Sequence, residues 1–199
     1  MLYAAARSDG CDVAYVAVRA LLQSWLNAPL NGLSQRTEAL EAAISAVEPD
    51  LDSSVFALRS LLDIPVEDKE WRQKDAFQRR RAIMIAMQAW MQSLARASPV
   101  VLMVEDLHWV DPESEAVLHD LARVLKTLPV VLIVSYRDGH HWKGPLPDYE
   151  IDLPELGRAQ ASQLLSEILG DDPSLRQLKN LLVRRAGGSP LYLEELCRT

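Results

Sequence analysis

Two runs of branched apolar residues constrain this sequence more than any other feature. The first lies in the string PVVLMVEDLHWVDP (99–112) and the second in PVVLIVSYR (129–137). Continuous rather than alternating hydrophobicity is typical of strands that are buried on both faces, as in a parallel sheet. About 25 residues separate the two runs, which favours a right-handed parallel crossover through a helix. We expect Asp111 to cap that helix, with Pro112 at its first position.

The residues before this pair of runs are predicted to be almost entirely helical over positions 1–98. A first helix is expected before a break at Pro29 and Gly32. A second is expected from a cap at Ser34 to Pro49, and a third over about 53–64. The apolar positions that indicate the first two helices are Val13, Val16, Ala20, Leu21 and Trp25, then Leu40, Ile44 and Val47.

The longest helix is predicted over 69–97. Its apolar stripe comprises Phe77, Ile83, Met84, Met87, Trp90, Met91 and Leu94. Arg79–Arg81 form the one dense basic cluster, which is interpreted as a solvated helix face. After the second apolar run, a short extended piece is expected at Tyr149–Leu153. Helices are then expected over 158–170, 173–187 and 190–198.

Composition excludes several classes of protein. The net charge of −7 argues against a nucleic-acid-binding domain, which needs clustered cations to neutralise phosphates. No stretch approaches the roughly 18–20 apolar residues of a membrane span. Cys11 and Cys197 have no second ligand at metal spacing, so no zinc site or disulfide framework is predicted. We expect two reduced thiols in a cytoplasmic protein.

Two adjacent acids, Glu105 and Asp106, follow the first apolar run. Ligands of open α/β sheets bind outside the carboxyl ends of the strands. Paired carboxylates at that position suit a hydrated Mg²⁺ ion and an oriented water, as beside the phosphates of a nucleoside triphosphate. The alternative is that the acids simply end a strand and cap the next helix.

The string VVLMVEDLHWVDPES resembles the Walker B segment of AAA/STAND-type ATPase modules of bacterial signalling proteins. Such modules are attached to class III adenylate cyclases, Ser/Thr kinase–cyclase fusions and large LuxR-type regulators. Three further strings match the family in order, namely its sensor strand (VVLIVSYRDG), its linker and first lid helix (IDLPELGRAQASQLLSEILG) and its Gly-x-Pro segment (RRAGGSPLYLEEL). The likeness is looser upstream, at Tyr15-x-x-Val18-Arg19-x-Leu21-Leu22.

The resemblance implies an α/β fold, an incomplete P-loop NTPase-like parallel sheet. A helical segment of the ATPase core (1–98) precedes the α/β core with its Walker B and sensor strands (99–156), and the start of a helical lid follows (157–199). It further implies that Glu105 is the metal-side acid and Asp106 the acid that polarises the attacking water. The usual order in strong hydrolases is Asp then Glu, so the reversed pair, with the shorter Asp106 at the base position, suggests the slow hydrolysis of a switch.

The resemblance also implies that Arg137 is the sensor that touches the γ-phosphate, and that Pro190 packs near the adenine. Alternatives stay open at each position. Arg137 suits a structural ion pair with Glu105 or Asp106, and the turn before Pro190 suits a plain helix break. His108, with Glu105 and Asp111, suggests a metal cluster, although the spacing matches no defined zinc pattern.

The sequence contains no G-x-x-x-x-G-K-[ST] loop, which cradles the phosphates in P-loop proteins. In the family this loop, with the first strand and helix, precedes the position that Met1 matches. We therefore expect this chain alone to bind ATP weakly or not at all, and not to hydrolyse it. Loss of the first strand also predicts marginal stability, or a compensating partner or dimer contact.

Three functions follow from these observations. The first is part of an ATP- and Mg²⁺-binding regulatory switch, whose partners are nucleotide and the other domains of a signalling protein or a partner chain. No contact with nucleic acid or membrane is expected. The second is a non-catalytic protein-interaction remnant of the same fold. The third, ranked last, is an autonomous hydrolase that uses Glu105, Asp106 and His108.

Overall fold

The computed structural model describes residues 1–27, 32–47 and 54–198, and the chain is mixed α/β. The chain divides into two compact units, Met1–Leu146 and Pro147–Thr199. The predicted helix breaks at Pro29 and Pro49 lie outside the described residues, as does the predicted start of a helix near residue 53. Among the described residues, no helix combines the length and the apolar character that crossing a membrane requires.

The first unit combines three strands with helices. The strands are β1 (Leu2–Ala5), β2 (Val100–Glu105) and β3 (Val130–Val134). The helices are α1 (Val16–Leu26), α2 (Leu33–Val47), α3 (Val55–Leu61), α4 (Lys69–Gln73), α5 (Ala76–Ala97) and α6 (Pro112–Leu125). The strands form one parallel sheet in the order β1-β2-β3, with α6 connecting β2 to β3. The predicted strand, helix and parallel strand are therefore confirmed.

Strand β1 corrects the prediction that the first 98 residues are almost entirely helical. Its residues pair in register with β2, from Leu2 opposite Leu102 to Ala5 opposite Glu105. Leu2 and Ala4 are buried whereas Tyr3 is exposed, the alternation of a strand with one covered face. Four residues are too few for this period to be recognised in the sequence. As a result β2 is the central strand of the sheet.

The two faces of the sheet differ in what covers them. One face is buried against α1 and α6 in the main core, and its residues are Leu2, Ala4, Val100, Leu102 and Val104. On the other face Tyr3, Val131 and Ile133 are 40–57% exposed. The prediction that both runs are buried on both faces is therefore wrong for β3, and on this face β2 is only half-buried, at Val101 and Met103. We call this second surface the open face.

The predicted helix over 69–97 is two helices. Lys74 is extended, and Asp75 begins α5 with a capping box: its carboxylate accepts the Gln78 N–H at 2.8 Å, and the Gln78 side chain accepts the Asp75 N–H at 3.0 Å. Phe77, expected in the apolar stripe, lies in the first turn of α5 and is 74% exposed. The remaining stripe residues are buried or half-buried, and Arg79–Arg81 are exposed as predicted.

Two smaller differences concern the ends of elements. Ser34 lies inside α2, whose first turn includes a hydrogen bond from the Arg36 N–H to the Gly32 carbonyl, so Ser34 is not the cap. Residues Tyr149–Leu153, expected to be extended, belong to no described strand, and the side chains of Tyr149, Ile151 and Leu153 are exposed.

The second unit is helical. It comprises α7 (Arg158–Leu169), α8 (Arg176–Ala186) and α9 (Pro190–Arg198), close to the predicted ranges. A small core holds the three helices together, and its buried residues are Leu165, Leu182, Ala186 and Leu193. Gly187 ends α8 with φ of 58°, and Gly188 follows with φ of 89°. These positive angles explain the paired glycines, because residues with a Cβ avoid that region.

Candidate functional site

The candidate site lies at the carboxyl end of β2, and we call it the strand mouth: Glu105, Asp106 and, from the residue after β3, Ser135. Glu105 is the last residue of β2 and is half-buried. The Tyr3 hydroxyl of β1 donates to Glu105 Oε2 at 2.5 Å. This hydrogen bond, together with the negative charges of Glu105 and Asp106, raises the pKa of Tyr3 above its ordinary value. Glu105 therefore contacts β1, not β3, through its side chain.

Asp106 has a left-handed backbone, with φ of 56° and ψ of 43°. Its N–H donates to Ser135 Oγ at 3.1 Å, and the next N–H, of Leu107, donates to the Ser135 carbonyl at 2.8 Å. Ser135 thus holds the chain where β2 turns into the 3₁₀ turn Leu107–Trp109. The Asp106 side chain is 52% exposed. A left-handed backbone conformation is strained in a residue that has a Cβ. Strained residues of this kind concentrate at functional sites.

Arg137 is exposed and follows β3 by three residues. Within the described part of the chain, no ion pair within 4.0 Å joins Arg137 to Glu105 or Asp106, so the structural ion pair considered above is not formed. The sensor role of Arg137 stays a prediction. Arg137 nevertheless follows β3, the strand that pairs with β2, and therefore leaves the sheet at the same end as Glu105 and Asp106.

Asp111 has a different environment, which we call the capping junction. Its side chain is buried, with the residue 2% exposed, and accepts three backbone N–H groups: Tyr15 at 2.8 Å, Val16 at 3.0 Å and Ser114 at 2.8 Å. One carboxylate therefore caps both α1 and α6, whose positive N-terminal dipoles stabilise its charge. The predicted cap at Asp111 is confirmed.

His108 does not join Glu105 and Asp111 in a cluster. Its Nδ1 lies 3.9 Å from Asp106 Oδ1, and its ring packs beside Trp109 with ring centroids 5.1 Å apart. Across residues 1–27, 32–47 and 54–198, no group of three or more His, Cys, Asp or Glu residues could hold a metal ion. The metal cluster considered for His108 is therefore not supported, and Cys11 and Cys197 are free thiols.

Pro190 belongs to the second unit, where it is the exposed first residue of α9. The turn before it is held by the Leu156 N–H, which donates to the Gly188 carbonyl at 2.8 Å. A Cβ on Gly188 would lie 2.7 Å from the Cβ of Glu155, so this position requires glycine. The geometry accounts for the turn, and the adenine contact of Pro190 stays a prediction.

Tyr3 and Ser135 were not identified from the sequence as site residues. Ser135 directly follows the second apolar run, so its place at the carboxyl end of a strand was a usable signal. Tyr3 gave no such signal, because its contact with Glu105 depends on the pairing of β1 with β2.

Comparison with known proteins gives a partial match to a relative and no family. An uncharacterized protein of Rhizobium meliloti (strain 1021) is 30% identical over 123 residues. The match covers 59% of this chain but 12% of the relative, so the chain spans about an eighth of that protein's length. No family model matches the chain, and no solved structure matches it.

Proposed function

We propose that this chain is part of an ATP-binding regulatory switch of a signalling protein, whose phosphate-binding loop is supplied by polypeptide outside these 199 residues. One observation carries the proposal. Glu105 and Asp106 leave the carboxyl end of the central strand of a parallel sheet, and Arg137 follows the neighbouring strand. Open α/β sheets bind their ligands at this end of the strands.

The strand mouth fits the metal side of such a site. Mg²⁺ is commonly held by one or two carboxylates and keeps several of its waters, so it needs no cage of protein ligands. Tyr3 engages Oε2 of Glu105, while no described residue hydrogen-bonds Oε1, and half of the Asp106 side chain is open to solvent. When bound, Mg²⁺ would neutralise phosphate charge beside Asp106, which we propose as the acid that orients water.

The chain does not fit the phosphate side. None of its eight glycines is followed by Lys-Ser or Lys-Thr. Without backbone amides and a lysine around the phosphates, the charges of Glu105 and Asp106 repel ATP, and Arg137 offsets only part of this repulsion. We therefore expect the 199-residue chain to bind ATP weakly or not at all, and the complete domain to bind it.

The unpaired side of β3 supports the proposal that further polypeptide adds a strand to the sheet. Strand β3 pairs with β2 on one side, and no described strand pairs with its other side. Its five residues, VVLIV, include neither the lysine nor the proline with which proteins protect true edge strands. Beside this edge, Val131 and Ile133 expose apolar side chains on the open face. Such a strand is typical of the interior of a larger parallel sheet.

The experiment compares two proteins, the present chain and a version extended by the polypeptide encoded upstream of Met1. We expect a GxxxxGK[ST] loop in the upstream reading frame. Calorimetric titration with ATP and MgCl₂ should then show saturable binding by the extended protein only. Glu105→Gln in the extended protein should remove the Mg²⁺ dependence of binding, whereas Glu150→Gln, in the second unit, serves as the matched control. Equal ATP binding with and without the extension would contradict the proposal.

The open face favours one other function, that of a protein-interaction remnant which no longer binds nucleotide. An apolar sheet surface without a helical cover is an established type of interaction site. This alternative predicts no GxxxxGK[ST] loop upstream and no ATP binding by the extended protein. The same two measurements therefore distinguish the two functions.

A further inference from the structure

Tyr3 is the side chain that holds one of the two proposed metal-side acids in place. Leu2–Ala5 pair with β2 so that Ala5 lies opposite Glu105, and Tyr3 lies two residues away on the same face. Diagonal neighbours on one face of a sheet are within reach of aromatic side chains. The Tyr3 hydroxyl uses this reach to donate to Glu105 Oε2 at 2.5 Å, a contact between residues that are distant in sequence.

The hydrogen bond leaves a defined part of the carboxylate available. Glu105 has three rotatable side-chain bonds, and a ligand that has to fix them loses affinity to the rotamer entropy. Tyr3 fixes them beforehand by occupying Oε2. No described residue hydrogen-bonds Oε1, and the backbone of the next residue, Asp106, is itself fixed by Ser135. Carboxylates that bind metal ions are commonly oriented by such a second hydrogen bond.

We propose that Tyr3 is a positioning residue for divalent-cation binding at Glu105. The inference rests on the proposed function of the strand mouth and adds to it a residue from a third element, β1. The Tyr3 hydroxyl is a neutral hydrogen-bond donor. It therefore orients the Glu105 carboxylate without placing a positive charge there that would compete with the cation. Loss of the hydroxyl alone should therefore weaken cation binding while the ring keeps its packing.

The test measures Mn²⁺ binding to the 199-residue chain by electron paramagnetic resonance of the free ion, at millimolar Mn²⁺ because the phosphate side of the site is missing. We expect saturable binding by the wild-type chain and its loss in Glu105→Gln. Tyr3→Phe should weaken binding about tenfold, the low end of effects seen for outer hydrogen bonds to metal ligands. Tyr149→Phe, which removes an exposed hydroxyl of the second unit, should leave binding unchanged.

A second measurement separates positioning from a general structural effect. Circular dichroism should show the same helix content in all variants, so that only the affinity for Mn²⁺ falls in Tyr3→Phe. Unchanged or tighter binding in Tyr3→Phe overturns the inference but leaves the proposed function intact. Absence of Mn²⁺ binding in the wild-type chain, or equal binding in Glu105→Gln, contradicts the metal site itself and overturns both.

Discussion

Asp106 and Asp111 lie on either side of one 3₁₀ turn, yet the fold uses them in opposite ways. At the capping junction, Asp111 is buried and accepts three backbone N–H groups from the starts of two helices. At the strand mouth, the Asp106 side chain is half-exposed, and its backbone is held in a left-handed conformation. The fold therefore requires the side chain of Asp111, whereas it makes little use of the side chain of Asp106. An acid of the second kind is the better candidate for chemistry.

The variant Asp111→Ala tests the comparison of Asp111 with Asp106 most strongly, because its expected effect is the largest. Three buried N–H groups would lose their acceptor, and α1 and α6 would both lose a cap, so we expect the free energy of unfolding to fall by about 3 kcal/mol. Urea denaturation measures this change. Asp111→Asn keeps an oxygen acceptor and should cost clearly less. A loss below about 1 kcal/mol for Asp111→Ala would show that the junction is not what joins the two helices.

A smaller effect is expected from the second side chain of the capping junction, Ser114. It is fully buried and its Oγ accepts the Val18 N–H at 3.3 Å. Ser114→Ala should lower the free energy of unfolding by about 1 kcal/mol, since one buried donor loses its partner. Chemical denaturation of Ser174→Ala, a variant in the second unit, provides the control. Equal losses in the two variants would argue against a specific junction.

At the strand mouth the expected change has the opposite sign. Asp106→Gly places glycine at a positive φ and should raise the free energy of unfolding by about 0.5 kcal/mol, because the relief of left-handed strain exceeds the entropy that glycine loses. Asp138→Gly, at an exposed position without positive φ, should be destabilising instead. If Asp106→Gly destabilises the chain as much as this control does, the Asp106 side chain contributes to folding and the contrast with Asp111 fails.

The smallest effect is a pH dependence at the same site. The hydrogen bond to Glu105 raises the pKa of Tyr3 above 10.0, so the folded state binds the phenolic proton more tightly than the unfolded state. This contribution to stability is complete below pH 10.0, the unfolded value, and is lost as the pH rises through the higher folded pKa. Tyr3→Phe should lack this alkaline loss, which unfolding curves at several alkaline pH values measure. An unchanged profile would mean that the hydrogen bond is absent in solution.

The sequence predicted what local patterns determine. Two apolar runs with a helix between them identified β2, α6 and β3, and the Asp-Pro pair identified the cap at Asp111. Those same runs placed Glu105 and Asp106 at the end of a strand. The division of the 69–97 helix was missed because this range contains neither proline nor glycine to mark a break, whereas Asp75 and Gln78 form a capping box there.

What the sequence did not predict depends on distant contacts. Four residues of β1 carry too little periodicity to be read as a strand, and only pairing with β2 gives them that structure. Tyr3 becomes a neighbour of Glu105 through this pairing, so it could not be identified earlier. The exposure of one sheet face was also missed, because runs such as VVLIV have the composition of fully buried strands whether or not a second layer covers them.

The large sequence separation between β1 and β2 has a consequence for how the molecule assembles. Pairs between β2 and β3, such as Val100 with Val130, close a loop of about 30 residues, whereas Leu2 with Leu102 closes one of about 100. Contacts that join remote parts of a chain form slowly. Strand β1 can therefore pair only after β2, about 100 residues later in the sequence, is in place. We therefore expect the contact of Tyr3 with Glu105 and the cap of α1 at Asp111 to form late in folding.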